Sequence, residues 1–212
     1  MKDYLIYTDV STDIDPAVVK EKDIHFIPMN YTIGSEDRLC EGLEDDELLK
    51  KFYQGQRDGD LTHTSQITPQ KYIDAFTPAL AEGKDILYIC LSSGLTKTYD
   101  SARLAKMELE ETFPDAKVYP VDSLGATAGM GLLTEFATEY RDAGMTIEEN
   151  VKALEDIRLN VNHLFMVEDL MYLKRGGRVS AATAVVGTML NIKPILIIDE
   201  NGKLVTIDKK RG

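Results

Sequence analysis

The sequence predicts an α/β protein: a parallel sheet with flanking helices, then a second α/β domain that opens with an antiparallel hairpin. Three observations carry this. Short β-rich runs alternate with longer helical patterns up to about residue 167, which is how βαβ units read. The run from Asp85 to Leu91 is almost continuously apolar, as a strand covered on both faces must be. Asn201-Gly202 lies between two apolar runs, Ile195–Ile198 and Lys203–Ile207, as a hairpin turn does.

Taken in order, Tyr4-Leu5-Ile6-Tyr7 reads as a first strand, ended by the polar turn Asp9-Val10-Ser11-Thr12-Asp13. Ile24 to Met29 reads as a second, confined to an edge or an irregular position because Pro28 cannot donate to a ladder. Thr68-Pro69 starts a helix with Tyr72, Phe76 and Leu80 on one face, and Pro78 should kink or shorten it. Asp85–Leu91 and Val118–Val121 are the next strands. Thr146-Ile147-Glu148-Glu149 is a capping box, followed by Ile147, Val151, Leu154, Arg158 and Val161 along one face. Leu164–Val167 is a fifth strand. The domain boundary is placed here, with residues 1–162 as the parallel-sheet domain and 163–212 as the start of the second domain. Asn201-Gly202 predicts a type I′ turn, with positive φ at both residues. The strand that follows runs into Lys209-Lys210-Arg211-Gly212 and would leave an open sheet edge. The second domain is therefore expected to be incomplete as given.

Length and composition bound the function classes. At 212 residues the chain makes one large or two small domains and can bury a core without disulfide or metal. Lys+Arg total 24 against 36 Asp+Glu, a formal charge of −12, which argues against nucleic acid as a partner. The two cysteines, Cys40 and Cys90, form no CxxC, and Cys90 sits in the apolar strand as a small buried hydrophobe. The start of the chain shows no leader pattern and no apolar run approaches a membrane span, so the expected location is cytoplasmic.

Chemistry is expected in three loops at strand ends, where open α/β sheets bind ligands. They are Asp9–Asp13, Thr62-His63-Thr64-Ser65-Gln66, and Ser92-Ser93-Gly94-Leu95-Thr96-Lys97-Thr98-Tyr99. A helix start with free N–H groups and hydroxyls suits a carboxylate or a phosphate, and Gly94 allows close backbone approach. The alternative reading of each loop is a plain helix cap. His25, His63 and His163 have no metal-ligand spacing, and no metal site is expected. Neither G-x-G-x-x-G, a P-loop nor a G-x-S-x-G elbow is present. The acidic run Glu41, Glu44, Asp45, Asp46, Glu47 reads as a solvated helix start. Lys174 and Arg175 precede the Gly176-Gly177 stop, and Ala181–Gly187 reads either as a cavity lining or as a buried helix. Arg175 and Arg178 are spare cations that could serve a docking surface.

The chain resembles the DegV family, whose characterised members bind fatty acids. The pieces that carry the resemblance are Thr64-Ser65-Gln66, Ser92 to Ala102, Val121-Asp122-Ser123, Glu168-Asp169-Leu170 through Arg178-Val179-Ser180, and Asn191-Ile192-Lys193-Pro194-Ile195-Leu196. Their order and spacing span the whole chain. The resemblance implies a two-domain α/β protein holding a long-chain fatty acid in an apolar tunnel, without cofactor or catalysis of its own. A separate fatty acid kinase would phosphorylate the presented carboxyl group to an acyl-phosphate. Thr64 would be one carboxylate contact and Thr96 the other, with Ser65, Ser92, Ser93 and Gly94 as neighbours. Arg175 and Arg178 would be candidates for kinase docking.

The chain departs from the family pattern at several positions. Val10 stands where the family tends to have Ser, Ile67-Thr68 follows Gln66 in place of Pro-Ser, and Lys97 replaces the usual Gly. Family chains also continue past the Lys-Lys-Arg segment, with a His at the head-group site. A competing reading is a hydrolase or phosphotransferase using a hydroxyl such as Ser93, which requires a base within hydrogen-bond reach. A third is a regulatory module whose ligand only signals.

Overall fold

The structure, a computed structural model, describes residues 4–42, 46–167, 170–179 and 192–211. Its centre is a four-stranded parallel sheet of order β2-β1-β6-β7, formed by β1 (Tyr4–Asp9), β2 (Ile24–Ile27), β6 (Asp85–Cys90) and β7 (Val118–Asp122). All six residues of β6 are buried, so the apolar run is indeed a strand covered on both faces. β2 is an edge strand that stops at Ile27, immediately before Pro28.

Two helix layers cover the sheet. On one face α3 (Pro69–Ala81) and α4 (Thr98–Thr112) bring Tyr72, Phe76, Leu80, Ala102 and Leu109 onto Tyr7, Ile86 and Tyr88. On the other, α5 (Thr127–Asp142) and α6 (Ile147–Ile157) bring Met130, Leu133, Ala137 and Leu154 onto Ile6, Leu87, Ile89 and Val121. The short helix α1 (Pro16–Glu21) packs Val19 beside Ile14 and Ile24. Pro78 does not shorten α3, which runs on to Ala81 and keeps Leu80 on its buried face. It lies in the last turn, where the missing N–H removes a single helical bond, while buried Tyr72, Phe76, Ala79 and Leu80 hold the helix down.

Two antiparallel sheets stand beyond the carboxyl ends of the parallel strands. One has order β4-β3-β5, from β3 (Met29–Ile33), β4 (Glu36–Cys40) and β5 (Thr62–Thr64), with α2 (Asp46–Asp58) between β4 and β5. The segment 62–66, read from sequence as a loop, is thus in part a strand, with Thr64 opposite Tyr31. Nothing in Glu36-Asp37-Arg38-Leu39-Cys40 alternates, because β4 is a mostly exposed edge strand. Asp46 and Glu47 do form the first turn of α2; Glu44 and Asp45 lie outside the described residues.

The other sheet has order β10-β9-β8, from β8 (Leu164–Met166), β9 (Ile192–Ile198) and β10 (Leu204–Arg211), with α7 (Leu170–Arg175) after β8. The expected hairpin is present, but its turn is not type I′. Asp199 N–H donates to Lys203 O and Gly202 N–H to Asp199 O, at 2.9 Å each. Only Gly202 has positive φ, at +71°. The loop is therefore the three-residue form, a tight turn closed by a left-handed glycine. The Asp199 carboxylate holds it by accepting from Asn201 and Lys203 N–H at 3.0 and 2.8 Å. Glu168, Asp169, Ser180, Ala181–Gly187 and Asn191 fall outside the described residues.

The Thr146 capping box forms as read: Thr146 Oγ1 accepts from Glu149 N–H and the Glu149 carboxylate accepts from Thr146 N–H. Thr146→Ala removes one of these bonds and should lower unfolding free energy by about 1 kcal/mol, measured by urea titration.

Candidate functional site

A cavity of about 860 Å³ opens where the three sheets meet, within the size range of small-molecule sites. Val10, Ser11, Leu91 and Leu95 reach it from the ends of β1 and β6, and Ala126 to Gly129 from the start of α5. One wall is Met29, Tyr31, Leu48, Leu49 and Phe52 of β3 and α2; the opposite wall is Leu164, Phe165, Tyr172, Leu173, Ile198 and Leu204. Polar side chains are few: Ser11, Asn30, Thr62, Thr64, Thr127, Asn162, His163 and Arg178. The location is the one where open parallel sheets bind ligands.

The floor is set by Asp9, whose side chain is fully buried at the end of β1. One carboxylate oxygen accepts from Ser11 N–H at 3.0 Å and from the Ser11 hydroxyl. The other accepts from Leu91 N–H and the Tyr88 hydroxyl, both at 3.2 Å. Tyr88 in turn meets the Tyr72 hydroxyl at 2.7 Å. Burial raises the Asp9 carboxyl above its ordinary value of 3.8, with these donors acting against it. Burial also pushes the Cys90 thiol well up, so that cysteine is inert packing.

A second knot joins the hairpin to the parallel sheet. Buried Ser92 donates from Oγ to Gly202 O at 2.8 Å and accepts from Gly94 N–H at 3.1 Å. The turn sits so close that a Cβ on Gly202 would collide with Ser92 Oγ, and one on Gly94 would lie 2.5 Å from Gly202 O. Alongside, the Asp122 carboxylate accepts from Ser93 and Leu124 N–H at 3.1 Å each, fixing the turn into α5. That turn carries Leu124 and the β-branched Thr127 at φ +49°, a conformation such side chains rarely adopt.

Of Thr64, Thr96, Ser65, Ser92, Ser93 and Gly94, the positions assigned to the head group by resemblance, Thr64 alone lines this cavity, joined there by Ser11 and Thr62 from the same strand-end loops. Thr96 does not: its Oγ1 lies 3.0 Å from Thr98 Oγ1 and accepts from Thr98 N–H, at the start of α4. Ser92 is spent on the hairpin, and Gly94 serves that close approach rather than an anion. Ser65 is exposed at the end of β5, where its N–H donates to Asn30 O at 3.1 Å. Ser93 is exposed, and its hydroxyl bonds to no histidine or carboxylate among the described residues. Arg175 stacks over Tyr172 at 4.4 Å, and Arg178 lines the cavity while bonding to Gly176 O. Both arginines are exposed.

The structure adds Thr127, Asn162 and His163, which sequence reasoning passed over. The available signal was Asn162-His163 directly before a strand, discounted for want of metal spacing. Among the described residues no cluster of His, Cys, Asp or Glu could hold a metal, and no helix is long and apolar enough to cross a membrane.

Gly202→Ala should force the hairpin off Ser92 and strain its turn, costing about 1–3 kcal/mol. Hydrogen exchange should show faster exchange in β10, with β6 unchanged. Asp9 has a linked pH dependence. Its folded value is raised, so the folded state holds the proton more tightly and this group's contribution falls as pH rises above 3.8. The unfolding free energy of Asp9→Asn relative to the parent should therefore increase with pH across that window; a constant difference contradicts a raised carboxyl.

Comparison with known proteins places the whole chain. The profile of the family described as "Uncharacterised protein, DegV family" matches residues 4–212. The DegV domain-containing protein YteA of Lactococcus lactis is 37% identical over 212 residues, covering 99% of this chain and 72% of that protein. A Thermus thermophilus DegV family protein, described for its fatty acid binding, superposes with TM-score 0.85 at 27% identity, covering 100% of this chain and 72% of that one. The Streptococcus pneumoniae Fatty Acid Kinase B3 protein, loaded with linoleic acid, superposes with TM-score 0.80 at 26% identity, covering 99% and 73%. With a match over nearly every residue and a relative at 37% identity, this chain belongs to the DegV family.

Proposed function

We propose that the chain binds a long-chain fatty acid in the cavity and presents its carboxyl group to a fatty acid kinase, which forms the acyl-phosphate. The observation that carries this is the cavity: about 860 Å³, walled mainly by apolar side chains, with its polar groups few. Each methylene moved from water to such walls contributes about 0.8 kcal/mol, so the acyl chain supplies most of the affinity. The carboxylate then needs only a few donors to set its register. Thr64 supplies one hydroxyl, and the first turn of α5 brings unpaired N–H groups to the same cavity.

The relatives support the reading. Fatty acid binding is stated of the Thermus thermophilus protein, and the Streptococcus pneumoniae protein is named for a fatty acid kinase. The phosphoryl transfer belongs to the kinase, and this chain acts as carrier. Exposed Arg178, which lines the cavity, and Arg175, stacked on the cavity residue Tyr172, are the docking candidates in a chain of net charge −12.

Native mass spectrometry of the purified protein, then of delipidated protein given oleate, tests the proposal. One oleate per chain is expected, and no uptake refutes it. Thr64→Ala should weaken oleate by about 1–3 kcal/mol, the range for a lost bond to a charged group. Thr96→Ala, outside the cavity, should change it by less than about 0.5 kcal/mol.

A further inference from the structure

None of the 13 residues of α2 is buried, whereas α3, α4, α5 and α6 each bury between three and six. The apolar stripe of α2 is spent on the cavity instead: Leu48, Leu49 and Phe52, at helical spacing, all line it. A ring contact and a hydrogen bond tie the helix to the sheet beside it. Phe52 meets Tyr31 edge-on at 5.5 Å, and Gln56 Nε2 donates to Thr62 Oγ1 at 2.9 Å. Beyond its last turn the chain passes through Gly59, at φ +108°, where a Cβ would meet nothing within 4 Å. A surface helix takes most of its stability from packing its apolar face. For α2 that packing is completed by whatever fills the cavity.

Across the cavity, α7 is anchored, because Leu170 is buried and packs with Leu196. Tyr172 reaches from it to α2, and its hydroxyl donates to Gln56 O at 3.3 Å. Arg175, stacked on the ring at 4.4 Å, steadies the side chain. Gln56 O also accepts from Gly59 N–H at 3.2 Å, and Tyr172 is 48% exposed. When the Tyr172 bond opens, water takes the hydroxyl and the carbonyl keeps a partner. Such a bond breaks and re-forms at little cost.

We propose that α2 is the moving wall of the cavity, latched shut by the Tyr172 hydroxyl on Gln56 O, and that lipid enters and leaves between α2 and α7. The identity of the lipid rests on the reading of the cavity as a fatty acid site; the latch rests on the geometry. With the latch open, α2 pivots at Gly59 and carries Leu48, Leu49 and Phe52 off the cavity. An acyl chain inside supplies the apolar packing that α2 lacks when the cavity is empty, so loading favours the closed position. The latch therefore sets how fast lipid passes, whereas the walls set how tightly it is held.

Stopped-flow uptake and release of oleate, together with amide hydrogen exchange on the empty protein, test this. Tyr172→Phe keeps the ring on the wall and removes only the latch. It should speed uptake and release by similar factors, roughly 3- to 10-fold, because a latch hinders passage in both directions. A change in release alone marks Tyr172 as a binding contact and overturns the latch, as do unchanged rates. In a Cys40→Ser background, Gln56→Cys with Tyr172→Cys joined by a short bis-maleimide should slow both rates about tenfold or more relative to the same protein unjoined. Passage at the unjoined rate places the route elsewhere and overturns the proposal. Hydrogen exchange needs no ligand: in the empty protein the α2 amides should exchange faster in Tyr172→Phe than in wild type, with α3 unchanged. Equal α2 rates overturn the latch. Failure of the wild type to take up oleate refutes the fatty acid reading, and the exchange comparison then still decides the latch.

Discussion

The Asp9 carboxylate holds together two chain exits from the parallel sheet, and the cavity depends on where those exits turn. By accepting from Ser11 N–H it bends the chain away at the end of β1, and by accepting from Leu91 N–H it does the same for β6. Val10, Ser11 and Leu91, the residues so placed, are cavity floor. The Tyr88 and Tyr72 hydroxyls continue the network into α3, tying the floor to the largest apolar cluster. A buried charge without a cation is expensive. The raised Asp9 carboxyl reflects that cost, and backbone donors that have no other partner there offset part of it.

The second constraint is the contact between Ser92 and the Gly202 turn. A parallel sheet by itself offers only a crevice at the carboxyl ends of its strands. Here the β8-β9-β10 sheet closes one side and the β3-β4-β5 sheet with α2 the other. Ser92 Oγ on Gly202 O, 110 residues away in the chain, joins the first of these to the floor. The Tyr172 hydroxyl, donating to Gln56 O at 3.3 Å, links α7 with α2 across the cavity. The enclosure is therefore made by long-range contacts between polar turns, while the lining stays apolar.

That division suits a carrier. Apolar walls bind a chain without regard to direction, and only the polar end distinguishes one orientation from the other. In the proposed reading, the Thr64 hydroxyl and the first turn of α5 offer donors to that end. The hydroxyl Ser93, which could have suggested catalysis, is exposed and bonds to no histidine or carboxylate among the described residues, and the buried thiol of Cys90 is held in its unreactive form. Negative charge in excess, −12, disfavours polyanionic partners and leaves Arg175 and Arg178 conspicuous as cations.

Much of the architecture was legible because local patterns dictate it. Five consecutive residues of β6, from Ile86 to Cys90, are apolar since both sheet faces are covered, and Pro69 and the Thr146–Glu149 box mark helix starts through their own backbone chemistry. Elements whose stability is not local were missed: β4 is polar because it is an exposed edge, and β5 is three residues long. The hairpin was readable from Asn201-Gly202, but its turn type was settled by the Asp199 carboxylate and by docking on Ser92. Hydroxyl-rich loops drew attention to the right ends of the sheet, yet a hydroxyl looks the same in sequence whether it caps a helix, as at Thr96, or faces a cavity, as at Thr64. His163 shows the reverse, an isolated histidine seated against Gly129 of α5, 34 positions earlier, and against the Ala126 backbone. The sequence alone determined the parallel core, its helices and the family likeness, because periodicity and caps act over a few residues. Only the tertiary structure decided which polar groups are spent and which line the cavity, because that depends on partners brought together from distant parts of the chain.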